Sequence, residues 1–150
     1  MINPYNKILE TSSGLDTLPL RAAAGGIFLA HGAQKLFGWF GGYGIEGTAG
    51  WMASIGLEPS VLLAVLTGSV EFFGGLLLIL GLLVRPTSLV LAFTMLVAIV
   101  TVHISNGLFM SNNGYEFALA LLAISTGLFI RGAGSISLDR ALEKKLATQF

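Results

Sequence analysis

The sequence predicts an all-α integral membrane protein, a four-helix bundle followed by a short C-terminal amphipathic helix. Three observations carry that prediction. Hydrophobic residues make up 54% of the 150 positions and charged residues only 11%, against about one-quarter charged in ordinary soluble domains. The apolar residues gather into four blocks, each near the roughly 20 residues needed to cross a hydrocarbon core at about 1.5 Å per residue. Between and beyond the blocks the chain turns to glycine, asparagine, proline and charge.

The first block runs from Leu18 to Phe37, the second from Val61 to Val84, the third from Pro86 to Asn106 and the fourth from Tyr115 to Ile130. Pro19 and Pro86 suit first-turn positions, where a missing amide donor costs nothing, and Glu58-Pro59-Ser60 announces the second helix. Arg85-Pro86 makes the second and third spans a tight hairpin. Gly38 to Gly44 and Gly50-Trp51-Met52 form a loop rich in glycine and aromatics, whose Trp and Tyr read as interface anchors. Asn106-Gly107 and Ser111 to Gly114 bracket a second short loop on the same side. The fourth block is the shortest and needs an interfacial turn at each end.

Residues 1–16 form a polar tail without a basic leader or a clear cleavage site, so the first block reads as a retained span. Over residues 137–148, Leu138, Leu142 and Leu146 recur at four-residue spacing among Arg140, Glu143, Lys144 and Lys145, the pattern of a helix lying on a membrane surface. The whole chain reads as one membrane domain. Lys7, Arg21, Arg85, Arg131, Arg140, Lys144 and Lys145 fall on the side of the termini and Lys35 alone toward the other. Short cytoplasmic segments carry such an excess, so both termini are expected inside, in a bacterial plasma membrane.

Several function classes drop out. Eight basic residues balance eight acidic ones, so no net field attracts nucleic acid. No cysteine is present, which removes disulfides, thiolate metal sites and thiol redox chemistry from this chain's own side chains. No metal motif and no Ser/His/Asp set of recognisable context occurs.

What remains is a small set of ionisable residues inside apolar blocks, where each charge costs roughly 2.5–3.5 kcal/mol on insertion scales. They are Arg21, His31 and Lys35 in the first span, Glu71 in the second, His103 in the third and Glu116 in the fourth. Glu71 lies roughly 15 Å deep, close to the midplane, and His31 roughly 9 Å deep, while Lys35, His103 and Glu116 sit near the outer ends. Arg21 and Arg85 belong to the inner boundary, where long side chains snorkel to headgroups. Gly68, Glu71 and Gly75 share one helix stripe, and Glu116, Ala120, Ala123 and Gly127 make a similar one that aims the carboxylate into the bundle. On the third span the small and polar stripe is Thr94, Ala98, Thr101 and Ser105, with His103 well away from it. His31 and His103 read first as hydrogen-bonded structural histidines, second as ligand or proton-transfer groups. Their unequal depths disfavour two axial ligands of one haem.

The stretches Arg21 to Gly38 (RAAAGGIFLAHGAQKLFG), Met52 to Leu57 (MASIGL), Glu71 to Arg85 (EFFGGLLLILGLLVR), His103, Gly114-Tyr115-Glu116 and Gly132 to Asp139 (GAGSISLD) resemble, as an ordered set, the DoxX family of small bacterial membrane proteins. The resemblance covers roughly residues 19 to 140. It implies a four-helix membrane bundle with Arg21, Lys35, Glu71, Arg85 and Glu116 as the matching polar positions. Members of that family are similar to the small membrane subunit of thiosulfate:quinone oxidoreductase, and others are associated with quinol oxidase or with oxidative and thiol stress systems.

Two functions are compatible with these residues. In the first, the chain is a membrane subunit of a redox complex with a soluble oxidoreductase partner. It offers a quinone or another small ligand a pocket in the outer half of the bundle, where Glu71 and His31 exchange protons, Lys35 stabilises developing negative charge and Phe72 or Phe73 packs on the ring. In the second, it is a non-catalytic scaffold that recruits a soluble partner, and the polar set only specifies packing. A small transporter is a third reading, which four helices accommodate only if the protein forms a homo-oligomer.

Overall fold

The computed structural model describes residue 11 and residues 14–147; most of the polar N-terminal tail and residue 148 of the expected amphipathic tail lie outside the described residues. Among those described, the chain is all-α: α1 (Thr17–Phe37), α2 (Gly44–Ser54), α3 (Ser60–Leu80), α4 (Val84–Ala98, continued by a π turn at Ile99–His103 and a 3-10 turn at Ile104–Asn106), α5 (Glu116–Arg131) and α6 (Leu138–Ala147). Two helical stretches, Ser60–Leu80 and Val84–Asn106, are long and apolar enough to cross a membrane. Three ionisable residues interrupt α1, and α5 has only 16 residues.

Small residues set the closest helix contact. α1 and α3 run antiparallel, since Gly25 meets Gly75 and Ile79 at one end, Gly32 meets Phe72 in the middle and Leu36 meets Gly68 at the other. A Cβ on Gly75 would stand 2.5 Å from the Leu29 nitrogen, and one on Gly32 would collide with the Phe72 backbone. Only glycine permits backbones this close. α4 and α5 pack through larger side chains, with Leu91, Met95, Leu121 and Leu128 in a core that also takes in Ala24, Phe28 and Leu78.

The turn from α3 to α4 comes earlier than hydropathy suggests. α3 ends at Leu80 rather than Val84, because Gly81 takes a left-handed φ of 68° and the Gly81 and Leu82 amides close on the Leu78 and Leu77 carbonyls at 3.1 and 3.0 Å. Leu82 is apolar but outside the helix, which a hydropathy count cannot detect. The glycine-aromatic loop holds a helix of its own, α2, whose Thr48, Ala49 and Met52 are buried. Ala49 and Met52 pack with Ala64, Leu57 and Leu63.

The stripe predicted to face inward on α5 is not its buried face, nor is the small and polar stripe of α4. On α5 the buried face is Ala118, Leu121, Ser125 and Leu128, and Ala120 and Ala123 are exposed. On α4 it is Val84, Ser88, Leu91, Ala92 and Met95. Thr94 and Thr101 donate to the carbonyls of Val90 and Val97 in their own helix at 3.0 and 2.8 Å, so their hydroxyls need no neighbour and tolerate an outward position.

Candidate functional site

Lys35, near the C-terminal end of α1, and Glu71, in the middle of α3, stand side by side. The Lys35 ammonium donates to Glu71 Oε2 at 2.5 Å, and Glu71 is only 4% exposed. Gly68, one turn from Glu71 on the same buried face, packs on Leu36 and the Lys35 Cβ, which draws α1 close enough for the lysine to reach. The Lys35 side chain keeps about a quarter of its surface. Lys35 also lines an open cleft of about 280 Å³ with Gln34, Gly41, Gly42, Tyr43, Thr48 and Trp51. An ammonium has three N–H donors, and Glu71 takes one.

The cleft wall is held by backbone. The Gly42 amide donates to the Trp39 carbonyl at 3.0 Å and Gln34 Nε2 donates to the Phe40 carbonyl at 3.2 Å. A Cβ on Gly42 would run into the Gln34 backbone. Tyr43 is 83% exposed, so its ring overhangs the rim and does not fill the cleft.

The other expected site residues have separate partners. His31 is exposed, with its ring 6.0 Å from that of Phe117 on α5. His103 hydrogen-bonds through Nδ1 to the Asn113 carbonyl at 2.9 Å, fastening the end of α4 to the following loop, and Asn106 Nδ2 donates to the same carbonyl at 3.2 Å. Because a carbonyl only accepts, Nδ1 is the protonated nitrogen there. Glu116 accepts the Met110 amide at 2.6 Å, closing the same loop. Phe72 meets Phe37 edge-on at 5.2 Å and Phe73 at 5.3 Å, and neither lines the cleft. Gln34, Tyr43, Thr48 and Trp51 complete the site, and the sequence signalled only the aromatic pair, as interface anchors.

A second buried polar group ties the opposite end together. Arg21 is 1% exposed rather than snorkelling, and donates through Nη2 to the Ile136 carbonyl at 2.6 Å and through Nη1 to the Leu78 carbonyl at 3.3 Å. Asp139, 2% exposed, accepts the Leu83 and Val84 amides at 2.7 and 3.0 Å, which caps the start of α4, and lies within electrostatic reach of Arg21. Its own amide donates to the Gly81 carbonyl at 2.9 Å. Thr17 donates to the Ala133 carbonyl at 2.9 Å, and Gly134 donates to Thr11. Arg85 donates to the Phe129 carbonyl at 2.8 Å on the outside of this end.

Two carboxyls here titrate in opposite senses. Burial pushes Asp139 above its ordinary value of 3.8, against the pull of the Val84 and Leu83 amides and of Arg21. Folding therefore holds the Asp139 proton more tightly than the unfolded chain does. That contribution is complete below 3.8 and is lost as the pH rises through the raised native value. The Arg131 guanidinium, 2.5 Å away, holds the exposed Asp16 below 3.8, so its contribution is present above that value and is lost as the pH falls through the lowered one. Thermal melts of the wild type are expected to weaken as the pH rises past the Asp139 transition, and those of Asp139→Asn, which titrates nowhere, to lack that step. A step retained in Asp139→Asn would assign it to another group.

Comparison with known proteins bears on what this arrangement is. The chain is 34% identical over 131 residues to a Bacillus subtilis (strain 168) protein named "Putative oxidoreductase CatD", covering 87% of this chain and 90% of that one. It is 34% identical over 114 residues to Escherichia coli (strain K12) "Inner membrane protein YqjF", covering 72% and 82%. No solved structure matches. The DoxX family model matches residues 17–104, a stretch that contains Arg21, both members of the Lys35–Glu71 pair and the whole cleft. With that match and these relatives, the chain belongs to the DoxX family of membrane proteins.

Proposed function

We propose that α1, α3, α4 and α5 all span the plasma membrane with both termini inside, and that the Lys35–Glu71 cleft binds a quinone or similar ring as part of a redox complex. The observation that carries this reading is the buried Glu71 carboxylate joined at 2.5 Å to Lys35, a residue that also lines an open cleft beside Tyr43 and Trp51. At about 280 Å³ the cleft is near the lower end of small-molecule sites, about 300–1,000 Å³. That is room for a ring, with an isoprenoid tail left in the lipid.

Quinone reduction needs electrons, which a soluble oxidoreductase partner supplies in this reading, and protons, which this chain handles. Lys35 donates a hydrogen bond to a ring oxygen. Glu71, bonded to the same ammonium, holds or returns the proton, and little water reaches it. Trp51 and Tyr43 pack on the ring. His31 lies against Phe117 and has no part in this cleft. The name of the Bacillus relative is in keeping with redox work.

The wild type purified from quinone-containing membranes is expected to release quinone on lipid extraction and mass spectrometry. Lys35→Met and Trp51→Ala should retain about tenfold less or lower still, since a hydrogen bond to a charged group contributes about 1.5–3 kcal/mol. Wild-type protein free of quinone, or folded variants that keep it, would refute the reading. The scaffold alternative draws on the exposed Phe40, Phe109 and Met110 at the outer loops. It predicts that changes at Lys35 and Glu71 alter stability alone.

A further inference from the structure

We infer that the cleft selects electrically neutral rings over anions of the same shape, and that Glu71 sets this selectivity without touching the ligand. The inference rests on the cleft being a ligand site, as proposed above. An isolated lysine at the rim of a partly desolvated cleft would attract carboxylates, sulfonates and sulfur oxyanions, because the field of one uncompensated charge is weakly screened there. Lys35 is not isolated. Its ammonium stands 2.5 Å from the Glu71 carboxylate, so the pair is neutral overall and the field a ligand meets is much reduced.

The rest of the lining supplies no second cation. Gln34, Tyr43, Thr48, Trp51 and two glycines are neutral. Glu46, in the first turn of α2, adds no positive charge either. An anion would lose hydration and meet an ion pair that has already consumed the positive charge. A neutral ring with a carbonyl oxygen loses less on entry. It can still accept one of the two remaining Lys35 N–H donors while stacking on Trp51 or Tyr43. The substrate class is therefore a neutral, planar acceptor.

Glu71→Gln keeps the shape and removes one charge, so Lys35 becomes an uncompensated cation. The preference should then invert. In a Trp39→Phe background Trp51 is the one tryptophan left, and its quenching reports occupancy. The probes are benzamide and benzoate, matched in shape and different in charge, with a tail-less dimethoxy-methyl-benzoquinone to test the site itself. Wild-type cleft is expected to bind benzamide and the benzoquinone at least about tenfold tighter than benzoate. Glu71→Gln should shift the benzamide-to-benzoate ratio by at least about tenfold toward the anion, the modest end of one unscreened charge. Lys35→Met/Glu71→Gln, neutral again, should return to the neutral preference.

Benzoate bound as tightly as benzamide by the wild type overturns the inference whether or not the variants fold. So does an unchanged ratio in folded Glu71→Gln. In both cases the cleft remains a ligand site. No quenching by any of the three probes removes the site and the proposed function with it.

Discussion

Asp139→Ala is expected to destabilise the protein by about 3–5 kcal/mol, the range for leaving one member of a buried charged set without its partner. The alanine would strand the Leu83 and Val84 amides at the start of α4 and leave the Arg21 guanidinium, almost wholly buried, without its counter-charge. Unpaired groups of this sort cost their full desolvation. The same aspartate anchors the C-terminal helix, so the α5–α6 linker should also become open to proteolysis. Arg21→Met removes the charge while keeping much of the volume, and leaves Asp139 on two amide donors. Combining the two substitutions is expected to cost less than their sum, because the second removes the charge stranded by the first. Denaturation in detergent of the two single variants and the double variant tests this. Additive losses would show that Arg21 and Asp139 act independently.

Gly32→Ala is expected to cost about 1–3 kcal/mol or more, as overpacked cores do, although alanine is the better helix former. The added Cβ would overlap the Phe72 backbone nitrogen and Cα, atoms that cannot turn aside as a side chain would. α1 must therefore move away from α3. Lys35 lies one turn further along α1 and Glu71 directly precedes Phe72, so the displacement stretches their contact as well. Ligand retention should fall together with stability. Gly26→Ala is the control on the same helix: nothing lies within 4 Å of its added Cβ, and the change should be neutral or stabilising by up to about 1 kcal/mol. Thermal stability and ligand retention of the two variants, measured side by side, decide the matter. Equal behaviour would show that close approach of α1 and α3 does not hold the site.

These two sites differ in how far the sequence announced them. Glu71 stands out because a carboxylate in the middle of an apolar block demands a partner, and Lys35 is the nearest cation in depth on another span. Asp139 gave no such signal. It sits in a polar tail where a carboxylate costs nothing, and its burial arises only because the segment from Gly132 to Ser137 turns back over the start of α4. Arg21 was read as snorkelling for the same reason. An arginine near a span end looks solvated until a distant piece of chain, here the Ile136 carbonyl, covers it.

Glu116 shows the converse error, while His103 takes the hydrogen-bonded structural role that is its first reading. Both sit near the depth of Lys35, but depth places a residue along the bundle and says nothing about which neighbour it faces. Each is taken up by the loop between α4 and α5. The α2 helix escaped notice because glycines at positions 44, 47 and 50 weaken the helical pattern, while burial of Ala49 and Met52 against α3 stabilises it. That helix carries Thr48 and Trp51, two of the cleft's lining residues.

The sequence by itself determined the helical class, the positions of the long helices, the polar residue that most needs a partner and the family resemblance. These depend on composition, period and the cost of charge in an apolar run, all of which are local along the chain. Which of Lys35 and His31, both partners the sequence allows, meets Glu71, and the formation of the cleft and the Arg21–Asp139 anchor, were decided by tertiary structure. The ion pair and the anchor each require residues more than thirty positions apart to meet, and whether Lys35 reaches Glu71 depends on how closely Gly25, Gly32, Gly68 and Gly75 let two helices approach.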